Sequence, residues 1–172
     1  MEPDSETFWQ EARPQVDLAA SVIQDEDAVL DKPYARHIDL VGRHWSGKHY
    51  GIVQGIDLVL LLWTDGDRLI PCEYRINHDA KVATRNDHFR AMIDVAHGRG
   101  FQPACVLFDC WYSSLENLKH LRSLGWKWLT PLKSTRLVNK DRVRAGQQRP
   151  DDDRPGAATA CRYSWAIETY HR

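Results

Sequence analysis

The chain has 172 residues, of which 42% are hydrophobic and 27% are charged, and its formal net charge is −1. This composition is typical of one globular domain and excludes wholesale disorder, and the longest apolar run (residues 58–63) is too short to cross a bilayer. The acidic N-terminus lacks the order of a signal peptide, and the four cysteines form no Cys-x-x-Cys pair. We therefore expect a cytoplasmic protein without a membrane partner, a disulfide framework or a zinc site.

Charge is distributed unevenly along the chain. Residues 1–40 contain ten acidic and three basic residues, whereas residues 119–149 contain nine basic residues and one acidic residue. This asymmetry indicates a surface for a polyanion beside an anionic site. Two separately solvated faces are the simpler explanation when charge is considered alone.

The first half of the chain predicts three strands. Residues 1–20 form a lead-in, with Thr7 and Gln10 at the spacing of a capping box. Residues 22–27 predict a short strand that ends in acidic residues, and residues 50–63 predict a long central strand. An Asp-Gly turn then favours a hairpin to residues 68–76.

The second half alternates helices and strands. A helix capped by Asn86 carries its apolar stripe at Phe89, Met92, Ile93 and Ala96. Residues 104–108 predict a strand buried on both faces, since they are continuously apolar. Ser113 and Glu116 cap a second helix, which ends before Gly125, and residues 126–132 predict a further strand.

The predicted domain organisation is a core over residues 21–138, an irregular linker over residues 139–160 and a truncated helix over residues 161–172. The order β-β-β-α-β-α-β-α predicts an α/β fold, with a mixed sheet and helices on its faces. A ribonuclease H-like architecture fits this order, although the order alone leaves other candidates open.

Three acidic positions are candidates for a catalytic site. Asp109 directly follows the buried strand, where ligand sites of open α/β sheets lie. Asp25, Glu26 and Asp27 end the first predicted strand, and Glu168 lies one helical turn from Trp165. Each position has an ordinary structural explanation, but carboxylates converging from all three would favour Mg²⁺ or Mn²⁺.

Several strings resemble the catalytic core of bacterial insertion-sequence DDE transposases. They are EDAVLDKPY (26–34), HWSGKHYGIVQGIDLVLLLWTDG (44–66), NDHFR (86–90), VLFDCWYSSLENLKHLRSLGW (106–126), LKSTRLVN (132–139) and YSWAIETYHR (163–172). The resemblance implies a ribonuclease H-like fold and DNA cleavage and strand transfer that depend on Mg²⁺ or Mn²⁺. DNA at the element ends and at the target is the implied partner, together with a second copy or a full-length transposase, near the nucleoid.

The resemblance also implies roles for individual residues. The first family acid lies in an Asp-Asp-Ser/Thr motif that reads Glu26-Asp27-Ala28 here, so its role passes to Asp27, with Glu26 as the alternative. The second and third acids correspond to Asp109 and Glu168, and the three acids would be both catalytic residues and metal ligands.

Four further residues are candidate DNA contacts. Lys133 and Arg136 follow the last predicted strand and are placed to bind phosphates. Trp111 and Tyr112 adjoin Asp109, where an aromatic ring can stack on an unpaired base. Packing beneath the following helix is the alternative for both aromatic residues.

Positions near the C-terminus predict a shortened copy of such a transposase. Cys161 and Ser164 stand where the family helix carries Tyr and Arg, and the chain ends at Arg172, before the position of a family Lys. Two alternatives to an active transposase core therefore remain. One is an inactive remnant that binds DNA or an intact transposase, and the other is a different nuclease of the same fold, such as a resolvase or ribonuclease H.

Overall fold

The computed structural model describes residues 5–19, 21–78 and 82–131. These described residues form three helices, six strands and two short 3-10 turns, Arg13–Gln15 and Cys110–Tyr112. In chain order these are α1 (Ser5–Ala12), β1 (Val22–Asp31), β2 (Gly42–Ser46), β3 (Gly51–Thr64), β4 (Leu69–Ile76), α2 (Arg85–Gly98), β5 (Cys105–Leu107), α3 (Leu115–Ser123) and β6 (Trp128–Leu129). The predicted linker (139–160) and C-terminal helix (161–172) lie outside the described residues.

All six strands belong to one mixed sheet. β3 pairs antiparallel with β1 along the whole length of β1, and β4 pairs antiparallel with the second half of β3. β5 runs parallel to β1, and β6 runs parallel to β5. The resulting order, β4-β3-β1-β5-β6, has three antiparallel strands followed by two parallel ones, which confirms the predicted ribonuclease H-like sheet.

Three strands differ from the sequence prediction, and one of them is β6, which spans only Trp128–Leu129 of the predicted residues 126–132. β2 was not predicted, because its sequence GRHWS is short, polar and contains glycine; it pairs with the start of β3. β1 continues to Asp31 instead of ending at Asp27, because β3 offers a partner for all ten of its residues. The acidic residues 25–27 therefore lie in the middle of a strand and not at its end.

The core lies between one face of the sheet and the helices. Phe89, Met92, Ile93 and Ala96 of α2 are all buried, as predicted, against Val59, Leu61 and Trp63 of β3. The N-cap of α2 is Thr84 and not Asn86, because Thr84 forms a reciprocal capping box with Asp87. Similarly, Ser114 and not Ser113 caps α3.

α1 packs beside β4 and adds Trp9 to this core, where its ring lies against Phe101. The lead-in predicted for residues 1–20 therefore contains a helix that closes one end of the core. Within the described residues, no helix is long and apolar enough to span a membrane.

Candidate active site

Alternation along β1 places two of its three adjacent acids on the helix-covered face. Asp25 lies opposite Leu61 and Asp27 lies opposite Val59, and both β3 residues belong to the core. Glu26 lies on the other face, where its carboxylate accepts a hydrogen bond of 3.2 Å from Gln24 Nε2. Asp27 therefore faces α2 and α3, whereas Glu26 does not.

The parallel pairing of β1 with β5 brings Asp109 to the same part of the sheet. Gln24 is paired with Leu107, and Asp109 follows Leu107 by two residues. Its side chain is exposed and accepts a hydrogen bond from the backbone N–H of Cys110, which begins a 3-10 turn. Its charge also contributes to the raised pKa of both Asp25 and Asp27. The structure therefore places Asp109 close enough to Asp27 for its charge to raise the pKa of Asp27.

Asp25 is an additional acid that the sequence did not single out from its neighbours. It is 5% exposed, and neither of its carboxylate oxygens has a hydrogen-bond partner among the described residues. Burial raises the pKa of Asp25 well above its usual value, and the charges of Asp27 and Glu26 raise it further. An ionised carboxylate in this position is costly unless a cation or a donor meets it.

Asp27 is held at both of its carboxylate oxygens. The hydroxyl of Tyr112 donates a hydrogen bond to Oδ1, and Nη1 of Arg85 lies 3.4 Å from Oδ2. Burial raises the pKa of Asp27, while the hydrogen bond from Tyr112 and the charge of Arg85 oppose this shift. Tyr112 and Arg85 therefore favour the ionised form of Asp27 and fix its orientation.

Tyr112 and Trp111 are adjacent in sequence but lie in different environments. Tyr112 is 2% exposed, and its ring lies against Phe89 with centroids 5.3 Å apart, so it has no free face for the predicted stacking on a base. The alternative prediction, packing in the core, describes Tyr112. Trp111 is 64% exposed and has a surface that can meet a base. Lys133, Arg136 and Glu168 lie outside the described residues.

Arg85 is fixed by a fourth acid, Asp57, which sequence reasoning missed. Asp57 lies in β3 and is fully buried, and its Oδ2 accepts hydrogen bonds from Arg85 Nε (3.0 Å), Arg85 Nη2 (2.7 Å) and Asn77 Nδ2 (2.7 Å). His44 Nδ1 approaches the same oxygen at 3.7 Å. Burial alone would lower the pKa of Arg85, but the carboxylates of Asp27 and Asp57 outweigh it and raise that pKa.

This network separates the roles of the buried acids. Because Arg85 and Asn77 already satisfy Asp57 Oδ2, Asp57 serves to position Arg85. Asp25 has no donor to either carboxylate oxygen among the described residues, so its carboxylate has the most capacity for a further cation. One signal in the sequence could have identified Asp57: it is the only charged residue between Gly51 and Trp63.

Comparison with known families identifies the chain. Residues 34–170 match the family model described as a transposase DDE domain, which is more than half of the 172 residues. The chain belongs to the transposase DDE domain family. The matched segment includes Asp109 and Glu168, whereas Asp27 precedes it.

Two solved transposase structures resemble this DDE domain at low identity. One is a piggyBac transposase synaptic complex with hairpin DNA, with 10% identity, a TM-score of 0.48, and coverage of 75% of this chain and 26% of that chain. The other is the catalytic domain of Mos1 mariner transposase, with 9% identity, a TM-score of 0.37, and coverage of 76% of this chain and 58% of that chain. The DDE domain thus spans about a quarter of the first chain and under two thirds of the second. No curated protein matches the chain.

The donor set of this DDE domain fits a hard divalent cation. All the acids around Asp27 offer oxygen ligands, and the buried oxygens of Asp25 lack partners among the described residues. Within those same residues, no three His, Cys, Asp or Glu side chains lie close enough together to hold a metal ion. A complete site therefore requires a further ligand or a shift of Asp109 towards Asp27.

Proposed function

We propose that the chain is the catalytic domain of an insertion-sequence transposase, which cleaves DNA and joins the freed 3′ end to a target. In this proposal Asp27, Asp109 and Glu168 are the catalytic carboxylates and would hold Mg²⁺ or Mn²⁺. The observation that carries the proposal is that β5 pairs parallel with β1, so that Asp109, two residues beyond β5, lies in the same part of the sheet as Asp27 and as Asp25, whose buried oxygens have no partner among the described residues.

A bound divalent cation would supply positive charge to the phosphate oxygens and lower the pKa of an attacking water molecule. Asp27 would provide oxygen ligands from the middle of β1, and Asp109 from the start of the turn that follows β5. Tyr112 and Arg85 hold the Asp27 carboxylate in one orientation, which reduces the reorganisation needed when DNA is bound. The exposure of Asp109 leaves room for the phosphodiester on its outer side.

DNA would be held by groups on either side of these acids. Trp111 presents an exposed indole beside Asp109 that would stack on an unpaired base near the cleavage point. Lys133 and Arg136 would bind backbone phosphates. The partners would be the element ends, the target DNA and a second copy or full-length transposase, in the cytoplasm near the nucleoid.

The direct test is cleavage of supercoiled plasmid and of labelled duplexes in Mg²⁺ or Mn²⁺. We expect nicking that EDTA abolishes, and a loss of at least about 100-fold in rate for Asp27→Asn and for Asp109→Asn. Glu26→Gln is the matched control, because Glu26 is adjacent in β1 but lies on the opposite face. A pre-nicked duplex with a free 3′-hydroxyl tests the joining step.

Equal loss for Glu26→Gln and Asp27→Asn would contradict the assignment of the first acid. No nicking by the wild-type chain under any of these conditions would contradict the catalytic proposal itself.

One observation favours the second candidate, a remnant that binds DNA or an intact transposase without cleaving. The described residues contain no set of three ligands at metal-binding distance. This candidate predicts DNA binding that is unchanged by EDTA and by Asp109→Asn, together with the absence of nicking.

A further inference from the structure

Residues 43–54 form a two-stranded ribbon that extends beyond the rest of the sheet. β2 pairs with β3 from Gly42↔Gly55 to Ser46↔Gly51. The pairing of β1 with β3 ends at Asp31↔Gly55, and β4 first meets β3 at Leu58. Among the strands that the structure describes, β2 and β3 therefore have only each other as partners past Gly55.

One face of the ribbon exposes large apolar side chains. Trp45 lies directly opposite Ile52, and the two are 63% and 62% exposed. Tyr50, in the connecting turn, is also strongly exposed. A two-stranded hairpin is marginally stable in water, and an exposed Trp–Ile pair adds little to its stability. The pair is therefore better explained by a contact with another molecule.

The charge of the ribbon indicates the nature of that molecule. Residues 40–56 contain no Asp or Glu, but they contain Arg43 and Lys48. In the part of the chain that the structure describes, neither cation lies within ion-pairing distance of a carboxylate. The two histidines do approach acids of the sheet, with His49 Nε2 2.7 Å from Asp31 Oδ2 and His44 close to Asp57. The outward charge of the ribbon is therefore positive.

Alternation places the cation and the apolar pair together. Arg43 and Trp45 share a face of β2, and their partners across the ribbon are Gln54 and Ile52. This face thus carries a guanidinium, an amide, an indole and an aliphatic side chain. These are the groups that contact base edges and thymine methyl groups, and a two-stranded ribbon fits the width of the major groove.

We propose that the ribbon, residues 43–54, is a DNA-binding element that enters the major groove of duplex DNA. Arg43 faces base edges, Trp45 and Ile52 make the apolar contact, and Lys48 in the turn binds a phosphate. The inference rests on the proposed function for the presence of DNA, but it assigns a surface that the cleavage chemistry does not use.

The ribbon would bind DNA away from the cleavage point. Ile52 is seven residues along β3 from Val59, the partner of Asp27, which corresponds to about 23 Å at the usual rise of a strand. The Trp45 face also points away from the face that carries Asp27. Loss of ribbon contacts should therefore weaken DNA affinity and leave the cleavage rate at saturating DNA unchanged.

The base of the ribbon is fixed to the body of the protein. The backbone N–H of Lys32 donates to the Gln54 carbonyl at 2.8 Å, and Gln54 Nε2 donates to the Ala35 carbonyl at 2.8 Å. The ribbon is thus held at a defined angle to the sheet, so binding DNA requires little ordering of this element.

The test measures binding of the full chain to a fluorescein-labelled 30-base-pair duplex between 50 and 200 mM salt. Trp45→Ala should reduce affinity about tenfold without changing the salt dependence, since it removes only an apolar contact. Arg43→Gln with Lys48→Gln should reduce affinity and flatten the slope of log affinity against log salt by about 0.9, since Lys48 is the phosphate contact and Arg43 faces base edges. Arg13→Gln with Arg68→Gln removes the same charge from the opposite end of the sheet and should leave both quantities unchanged.

Crosslinking of the wild-type chain to a 5-iodouracil duplex, followed by peptide mapping, provides a readout that needs no variant. We expect a crosslinked peptide within residues 43–54. The inference is overturned if both ribbon variants bind DNA like the wild type, if crosslinks fall only elsewhere, or if Trp45→Ala instead abolishes self-association. In each of these three cases the proposed function would still stand, provided that the ribbon variants nick DNA and that Asp109→Asn abolishes this nicking.

Discussion

The hydroxyl of Tyr112 donates a hydrogen bond to Oδ1 of Asp27, which lies 85 positions earlier in the chain. The bond links the turn after β5 to the middle of β1, and it is made at the edge of the core, where Tyr112 also packs against Phe89. It therefore orients the candidate catalytic carboxylate from the same segment that carries Asp109.

Tyr112→Phe should loosen Asp27 and preserve the packing of the ring. We expect the unfolding free energy to fall by about 1.5–3 kcal/mol, the usual net value of a hydrogen bond to a charged group, and nicking to slow by about tenfold. Urea denaturation and the plasmid assay measure the two effects. Tyr34→Phe makes the same chemical change at a fully exposed position and should alter neither.

The pair of Asp57 and Arg85 should be strongly coupled. Arg85→Gln leaves the fully buried Asp57 without its cation and should cost about 3–5 kcal/mol, whereas the double variant with Asp57→Asn should recover a large part of that loss. A double-mutant cycle in urea measures the coupling. The exposed pair of Asp65 and Arg68 is the control, with an expected coupling below about 1 kcal/mol. Equal coupling in both pairs would contradict the positioning role of Asp57.

The raised pKa of Asp25 predicts how the metal-free protein responds to pH. An acid whose folded-state pKa is above its unfolded value binds more protons in the folded state, so stability falls as pH rises from the unfolded pKa through the folded pKa. We expect the midpoint of thermal unfolding to be higher near pH 5.5 than at pH 8. Asp25→Asn should weaken this dependence and raise the midpoint of thermal unfolding at pH 8.

Divalent cations should offset the loss of thermal stability that we expect at pH 8. If Mg²⁺ or Mn²⁺ binds beside Asp25 and Asp27, the midpoint at pH 8 should rise with cation concentration. A cation-independent midpoint in the wild type, together with an unchanged pH profile in Asp25→Asn, would contradict the assignment of this cluster as a cation site.

Gly55 should be intolerant of any side chain. A Cβ at this position would lie 2.5 Å from the carbonyl oxygen of Leu30, where β1 and β3 meet at the base of the ribbon. Gly55→Ala should therefore destabilise the protein by about 1–3 kcal/mol. Gly98→Ala is the matched control. Gly98 lies at the end of α2, and a Cβ added there would meet nothing within 4 Å, so this substitution should be neutral or stabilising.

Much of the sheet could be predicted because its strands carry strong local signals. The apolar run in β3, the Asp-Gly turn and the helical stripe of α2 all indicate their structures without tertiary information. β2 could not be predicted, since its five residues become a strand only by pairing with β3. The end of β1 was predicted at Asp27 instead of Asp31 for the same reason, since its last residues form a strand by pairing with β3.

The site was predicted less completely than the fold. A carboxylate directly after a buried apolar strand identifies Asp109 from sequence, and alternation separates Glu26 from Asp27 once β1 is known to be a strand. The partners of Asp27 could not be predicted, since Tyr112 and Arg85 approach it only through the packing of α2 and the turn after β5. Nothing local in the sequence distinguishes Tyr112, in the core, from Trp111, on the surface.

The parallel pairing of β1 with β5 has a consequence for synthesis on the ribosome. The hairpins that connect β2, β3 and β4 can form as soon as they emerge, because their contacts are local in sequence. Asp27 and Asp109 meet only after α2 has been made and β5 has been added beside β1, which is a slow, non-local step. A nascent chain would therefore carry a folded hairpin meander before Asp27 and Asp109 are brought to the same part of the sheet.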